Sequence, residues 1–155
     1  MQTIYFDYNA TTPLDPEVRE AMLPFLEDVY GNPSSVHHVG RQARAFLDEA
    51  RERVAGLWAC KPSEIVFTSA GTESNNLAIF GVARLLRAKG RHIITSAIEH
   101  PSVLSCCEYL EDKEDFEISR LPVDSVGRVS LEALEALVRK DTILVSVMAA
   151  NNEVG

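Results

Sequence analysis

The chain has 155 residues, 46% hydrophobic and 25% charged, with a formal net charge of −8 at neutral pH. That is the size and composition of one soluble folded domain, and no apolar run is long enough to span a bilayer. The acidic excess opposes the phosphate backbone of nucleic acid, with no basic run to offset it, so neither nucleic acid nor membrane is expected as a partner. Three cysteines, Cys60, Cys106 and Cys107, are odd in number and lack C-x-x-C spacing, which argues against a disulfide framework and fits a reducing compartment. The opening MQTIYFDYNATTP has no basic segment followed by an apolar one, so a cytoplasmic location is expected.

In chain order, Pro16 starts a helix that runs to about Val29, and a turn follows at Gly31-Asn32-Pro33-Ser34-Ser35. Ala43, Phe46, Leu47, Ala50, Val54 and Leu57 then share one face of a longer helix. From Ile65 the pattern changes. Ile65-Val66-Phe67-Thr68 reads as a buried strand, and Leu77, Phe80, Ala83 and Leu86 recur at helical spacing until Arg87, Lys89 and Gly90 end the helix. His92-Ile93-Ile94-Thr95-Ser96 is the next strand, and Pro101 opens a helix bearing Val103, Leu104, Cys107 and Leu110. Phe116, Ile118, Leu121 and Val123 mark a third strand. Ser130 caps a helix with Leu131, Leu134, Leu137 and Val138, and residues 142–148 form a fourth strand. Strands alternating with helices of this length require crossovers, so the expected fold class is α/β, a mainly parallel sheet with helices on both faces. Residues 1–62 are read as an N-terminal helical arm and 63–155 as the first part of a larger sheet domain.

Ligands of open α/β sheets bind beyond the carboxyl ends of the strands. Three polar clusters fall there: Ser69-Ala70-Gly71-Thr72, Glu99-His100 and Asn151-Asn152-Glu153. Gly71 and Thr72 suit anion capture at a helix N-terminus, although small and hydroxyl residues also serve as ordinary caps. The stretch lacks the Gly-Lys-Ser/Thr ending of a nucleotide-binding P-loop. His100 either faces a ligand or ends a loop before Pro101. Asn151 and Asn152 either donate to a ligand or shape a turn. His37 and His38 read as solvated, and Cys106 and Cys107 as small apolar packers.

Taken together, these motifs resemble the N-terminal part of cysteine desulfurases, pyridoxal-phosphate enzymes of the class V aminotransferase group. The resemblance runs from Tyr5-Phe6-Asp7-Tyr8-Asn9-Ala10-Thr11-Thr12-Pro13 through GNPSSVH at 31–37, EIVFTSAGTESNNLAI at 64–79, HIITSAIEHPSVL at 92–104 and LPVDSVGRV at 121–129, to Asn151-Asn152-Glu153-Val154-Gly155. It implies the large domain of a fold-type-I transferase with pyridoxal 5'-phosphate as cofactor. Gly71 and Thr72 would bind the phosphate, His100 would stack on the ring and assist proton transfer, and Asn152 would bond the phenolic oxygen. Asn9, Ala10 and His37 match motifs near the family's substrate entrance or dimer contact.

The implied reaction removes sulfur from L-cysteine, giving L-alanine and an enzyme persulfide that serves iron–sulfur cluster assembly through an acceptor or scaffold protein, usually from a homodimer. A selenocysteine lyase of the same superfamily, or a non-catalytic phosphate-binding α/β module, would share the phosphate turn. No metal site is expected. The family's cofactor-holding lysine, in a Ser-x-His-Lys motif, and its sulfur-accepting loop cysteine find no match; Lys61, Lys89, Lys113 and Lys140 stand in other contexts. The chain is therefore expected to be one piece of a longer protein, inactive by itself.

Overall fold

A computed structural model describes residues 4–155. Residues 1–3, the start of the expected N-terminal arm, lie outside the described residues. The chain divides into two compact units, one reaching Phe67 and the other Thr68–Gly155.

In the first unit, helix α1 (Pro16–Glu27) begins where the sequence places it. Pro16 supplies a preset φ, and the Asp15 carboxylate accepts from the Glu17 N–H at 2.8 Å. Helix α2 (His38–Leu57) starts at His37, whose Nδ1 accepts from the Gly40 N–H at 3.3 Å. His37 is thus a helix cap as well as an exposed ring. A Cβ on Gly40 would stand 2.4 Å from the Ser35 carbonyl oxygen, so glycine lets the helix lie against the preceding turn. Phe25 and Phe46 meet edge to face at a centroid distance of 5.3 Å and join the two helices.

The expected strand at Ile65–Thr68 does not form. After a 3₁₀ turn (Pro62–Glu64) the backbone is extended but unpaired, and Val66 and Phe67 are 66% and 45% exposed. β-branched and aromatic residues favour extension, but a strand also needs a backbone partner, and none of the described residues provides one.

The second unit contains α3 (Gly71–Leu86), β1 (His92–Ser96), α4 (Pro101–Glu114), β2 (Glu117–Leu121), α5 (Leu131–Leu137) and β3 (Thr142–Ser146). The strands form one parallel sheet in the order β2-β1-β3, which confirms the α/β architecture with three strands rather than four. All five residues of the central strand β1 are buried, as a strand paired on both sides must be. Ile93 lies opposite Ile118 and Leu144, and Ile79 and Ala83 of α3 with Val103, Cys106, Cys107 and Leu110 of α4 close the core over it. Burying side chains of this size stabilises the unit by roughly 1.5–3 kcal/mol each for the larger ones. No helix among the described residues is long and apolar enough to cross a membrane.

Candidate functional site

The carboxyl ends of β1 and β3 and the start of α3 collect the polar residues singled out in the sequence. Ala70, the N-cap of α3, is extended and has no side-chain acceptor. The first backbone bond of the helix runs from the Ser74 N–H to the Ala70 carbonyl at 3.1 Å. Among the described residues, nothing accepts from the N–H groups of Gly71, Thr72 and Glu73. Thr72 therefore sits inside the first turn rather than capping it.

The neighbouring side chains satisfy one another and leave these donors free. The Glu73 carboxylate turns back to accept from the Ser69 hydroxyl at 2.6 Å and the Ser69 N–H at 2.7 Å, and those two bonds hold its pKa below the ordinary carboxylate value. Asn76 Nδ2 donates to the Thr72 carbonyl at 2.8 Å. A Cβ placed on Gly71 would meet nothing within 4 Å, so the approach to the helix end is open. Unpaired N–H groups at the positive end of a 16-residue helix are a ready anion site.

His100 caps α4. Its Nδ1 accepts from the Ser102 N–H at 3.1 Å and lies 2.8 Å from the Ser102 hydroxyl, which in turn accepts from Asn75 Nδ2 at 2.8 Å. Because Nδ1 receives the backbone donor it carries no hydrogen, so Nε2 is the N–H of the neutral ring. The relay Asn75–Ser102–His100 ties α3 to α4 and sets the imidazole's orientation. Sequence reading missed Asn75 and Ser102; a polar residue one turn into a helix at a ligand edge was the available signal.

The two asparagines divide the alternatives between them. Asn151 shapes the turn: its Oδ1 accepts from the N–H groups of Glu153 and Val154 at 2.8 and 3.1 Å, and its Nδ2 donates to the Ile98 carbonyl at 2.8 Å. Asn152 is exposed, and its amide has no hydrogen-bond partner among the described residues. Thr72 and His100 share a cleft of about 700 Å³ with Asn76, Phe80 and Arg84. His100 and Asn152 share a second of about 470 Å³ with Ile98, Glu99 and Pro101. His100 thus borders both, and no lysine lines either.

The cysteines of this unit are poor nucleophiles. Cys106 and Cys107 are buried, and burial pushes both thiols up, Cys107 to about 11. They pack in the core, as their place on the helix suggests. Asn9, Ala10 and His37 belong to the first unit, where the Ala10 N–H closes a turn onto the Asp7 carbonyl at 3.1 Å. No group of three or more histidines, cysteines or acidic residues able to hold a metal occurs among the described residues.

Comparison with known proteins gives a consistent result. The Aminotransferase class-V family model matches residues 4–155. The cysteine desulfurase IscS of Dictyoglomus turgidum is 57% identical over 152 residues, covering 98% of this chain and 38% of that protein. Among solved structures, a NifS-like protein superposes with a TM-score of 0.94 at 49% identity, covering 99% of this chain and 42% of the other. SspA in complex with cysteine superposes with a TM-score of 0.89 at 40% identity, with 97% and 43% covered. The chain thus spans well under half the length of the relatives it matches.

Proposed function

The chain belongs to the class-V aminotransferase family, and on that premise we propose that it forms the N-terminal part of a pyridoxal-phosphate-dependent cysteine desulfurase. The observation that carries the reading is the set of free N–H groups at Gly71, Thr72 and Glu73 opening beside the His100 cleft. A phosphate monoester fits such a cradle: it supplies the acceptors that the helix end lacks, and the dipole favours its charge. A nucleotide triphosphate fits less well, because no lysine follows the turn.

In this reading Gly71 and Thr72 hold the cofactor phosphate, His100 offers its ring face and its Nε2–H, and the unpaired amide of Asn152 donates to the phenolic oxygen. When bound, the cofactor acts as an electron sink for the substrate's Cα. His100, with Nδ1 committed to Ser102, can hold or pass a proton only at Nε2. The substrate is L-cysteine, the amino acid bound to SspA, and the product is L-alanine. Burial excludes Cys106 and Cys107 as sulfur acceptors, half-buried Cys60 does not match the family's loop, and no lysine lines either cleft, so in this reading that thiolate and the cofactor-holding lysine come from elsewhere in the polypeptide. The proposed enzyme is a cytoplasmic homodimer that passes sulfur to an acceptor or scaffold protein of iron–sulfur assembly.

The test is to express the complete reading frame and record its visible spectrum with and without L-cysteine, while measuring alanine release. A yellow protein whose spectrum changes with cysteine and which releases alanine is expected. A colourless protein would favour the non-catalytic phosphate-binding module. A cofactor-bearing protein that acts only on selenocysteine would make it a lyase.

A further inference from the structure

Glu99 is a buried carboxylate at the ligand edge of the sheet, only 6% exposed, with no cationic partner among the described residues. Acidic side chains are seldom buried without one, because losing water costs more for a charge than for a neutral amide. Two neutral donors instead converge on a single oxygen: the Ser96 hydroxyl and the Met148 N–H each donate to Glu99 Oε1 at 2.7 Å. Ser96, itself 1% exposed, ends β1, and Met148 lies just past the end of β3. One carboxylate oxygen therefore joins the segments leaving two neighbouring strands, 49 residues apart in sequence.

The position of this bridge matters more than its strength. Glu99 directly precedes His100, and Met148 stands four residues before Asn152. A second bond crosses the same gap in the same sense, from Asn151 Nδ2 to the Ile98 carbonyl at 2.8 Å. The backbones carrying His100 and Asn152 are thus pinned to each other by two hydrogen bonds beside the cleft they share.

We propose that Glu99 is a positioning residue, whose bridge from Ser96 to Met148 fixes the spacing of the His100 and Asn152 loops so that both reach one bound cofactor ring. This rests on the assignment of His100 and Asn152 to pyridoxal phosphate. It predicts a specific pattern. Glu99→Ala frees both loops, while Glu99→Gln keeps an acceptor oxygen for the same two donors.

The experiment titrates pyridoxal phosphate into the apo form of the full-length protein, following affinity and the absorption maximum of the bound cofactor, alongside urea unfolding of each apo variant. Glu99→Ala is expected to weaken affinity by a factor on the order of 10 to 100, as loss of ligand-orienting partners does at metal sites, and to shift the absorption maximum. Glu99→Gln is expected to stay within about threefold of the parent, since it keeps the acceptor. Ser96→Ala, which removes one of the two donors, should fall between them and carries the test if Glu99→Ala does not fold. A purely structural role would lower the unfolding midpoint of Glu99→Ala while leaving affinity and absorption unchanged, and that result overturns the proposal. So does parental affinity in Ser96→Ala when Glu99→Ala cannot be purified. Ala70→Asp, which sets a carboxylate against the free helix N–H groups, is run beside them and separates the two readings: if it binds like the parent, the cofactor site itself is wrong. If it binds weakly while Glu99→Ala binds normally, only the role of Glu99 fails.

Discussion

The two ends of the parallel sheet are built from the same strands and treat their polar groups in opposite ways. At the amino end, buried His92 uses both ring nitrogens, Nδ1 at 2.7 Å from the Thr142 hydroxyl and Nε2 at 2.8 Å from the Ser119 hydroxyl, so one imidazole ties all three strands. Around it Arg139 pairs with Glu117 and Asp141, and Arg91 with Asp115. At the carboxyl end the helix N–H groups of Gly71, Thr72 and Glu73 and the Asn152 amide have no protein partner among the described residues. Satisfied polar groups hold a fold together; unsatisfied ones at an open edge are available to a ligand. The difference supports placing the proposed cofactor site at the carboxyl end and a stabilising polar cluster at the amino end.

That contrast can be broken from either side. The largest effect is expected at His100, where alanine should lower turnover by roughly 10²-fold, the scale of a lost proton-transfer group, and lower cofactor affinity by much less. Steady-state rates and cofactor titration of the same preparation measure the two together. The next largest comes from closing the open edge. Ala70→Asp would place a carboxylate where it can accept from the free N–H groups, stabilising the apo protein by about 1 kcal/mol in urea unfolding. The same carboxylate repels phosphate, so cofactor affinity should fall on the order of tenfold or more. A variant that gains stability while losing ligand would show that these donors are held open for binding.

At the amino end, the predicted effects are on stability alone. His92→Ala leaves the Ser119 hydroxyl unpaired, leaves the Thr142 hydroxyl only the Arg139 N–H, and opens a void between strands, a loss of about 2–3 kcal/mol, with cofactor affinity unchanged. Its titration has a definite sign. Burial first, and then the nearby Arg139 charge, hold the His92 pKa below 6.5, against the weaker opposite pull of Glu117 and Asp141. As pH falls through about 6.5 the unfolded chain takes up the proton first, so stability drops on acidification and this contribution is flat above that value. Urea midpoints on either side of pH 6.5 should show the dependence in the parent and less of it in His92→Ala. The smallest effect concerns Thr95, whose buried hydroxyl has no partner among the described residues. Thr95→Val should raise stability by up to about 1 kcal/mol, as removal of an unpaired buried polar group does.

How much of this was legible in the sequence depended on whether a feature is local. Helical periodicity, the Pro16 start and the cap at Ser130 are written in neighbouring residues, and these elements formed where expected. Ile65–Thr68 failed for the opposite reason: its residues favour extension, but pairing is a property of another segment. The candidate site divides in the same way. Gly71, Thr72, His100 and Asn152 could be named from motifs and from the rule that ligands sit at strand ends. The Asn75–Ser102–His100 relay and the Glu99–Met148 bridge span 27 and 49 residues, so only the fold reveals them. His37 and Asn151 showed the remaining ambiguity, since a polar residue at a turn serves its own backbone as readily as a ligand.

The most direct measurement of the central claim is a crystal structure of the full-length protein loaded with pyridoxal phosphate. Phosphate oxygens within hydrogen-bond distance of the Gly71 and Thr72 N–H groups, with His100 against the ring and Asn152 at its phenolic oxygen, are the predicted result. A cofactor bound elsewhere, with the start of α3 facing only water, would contradict the account.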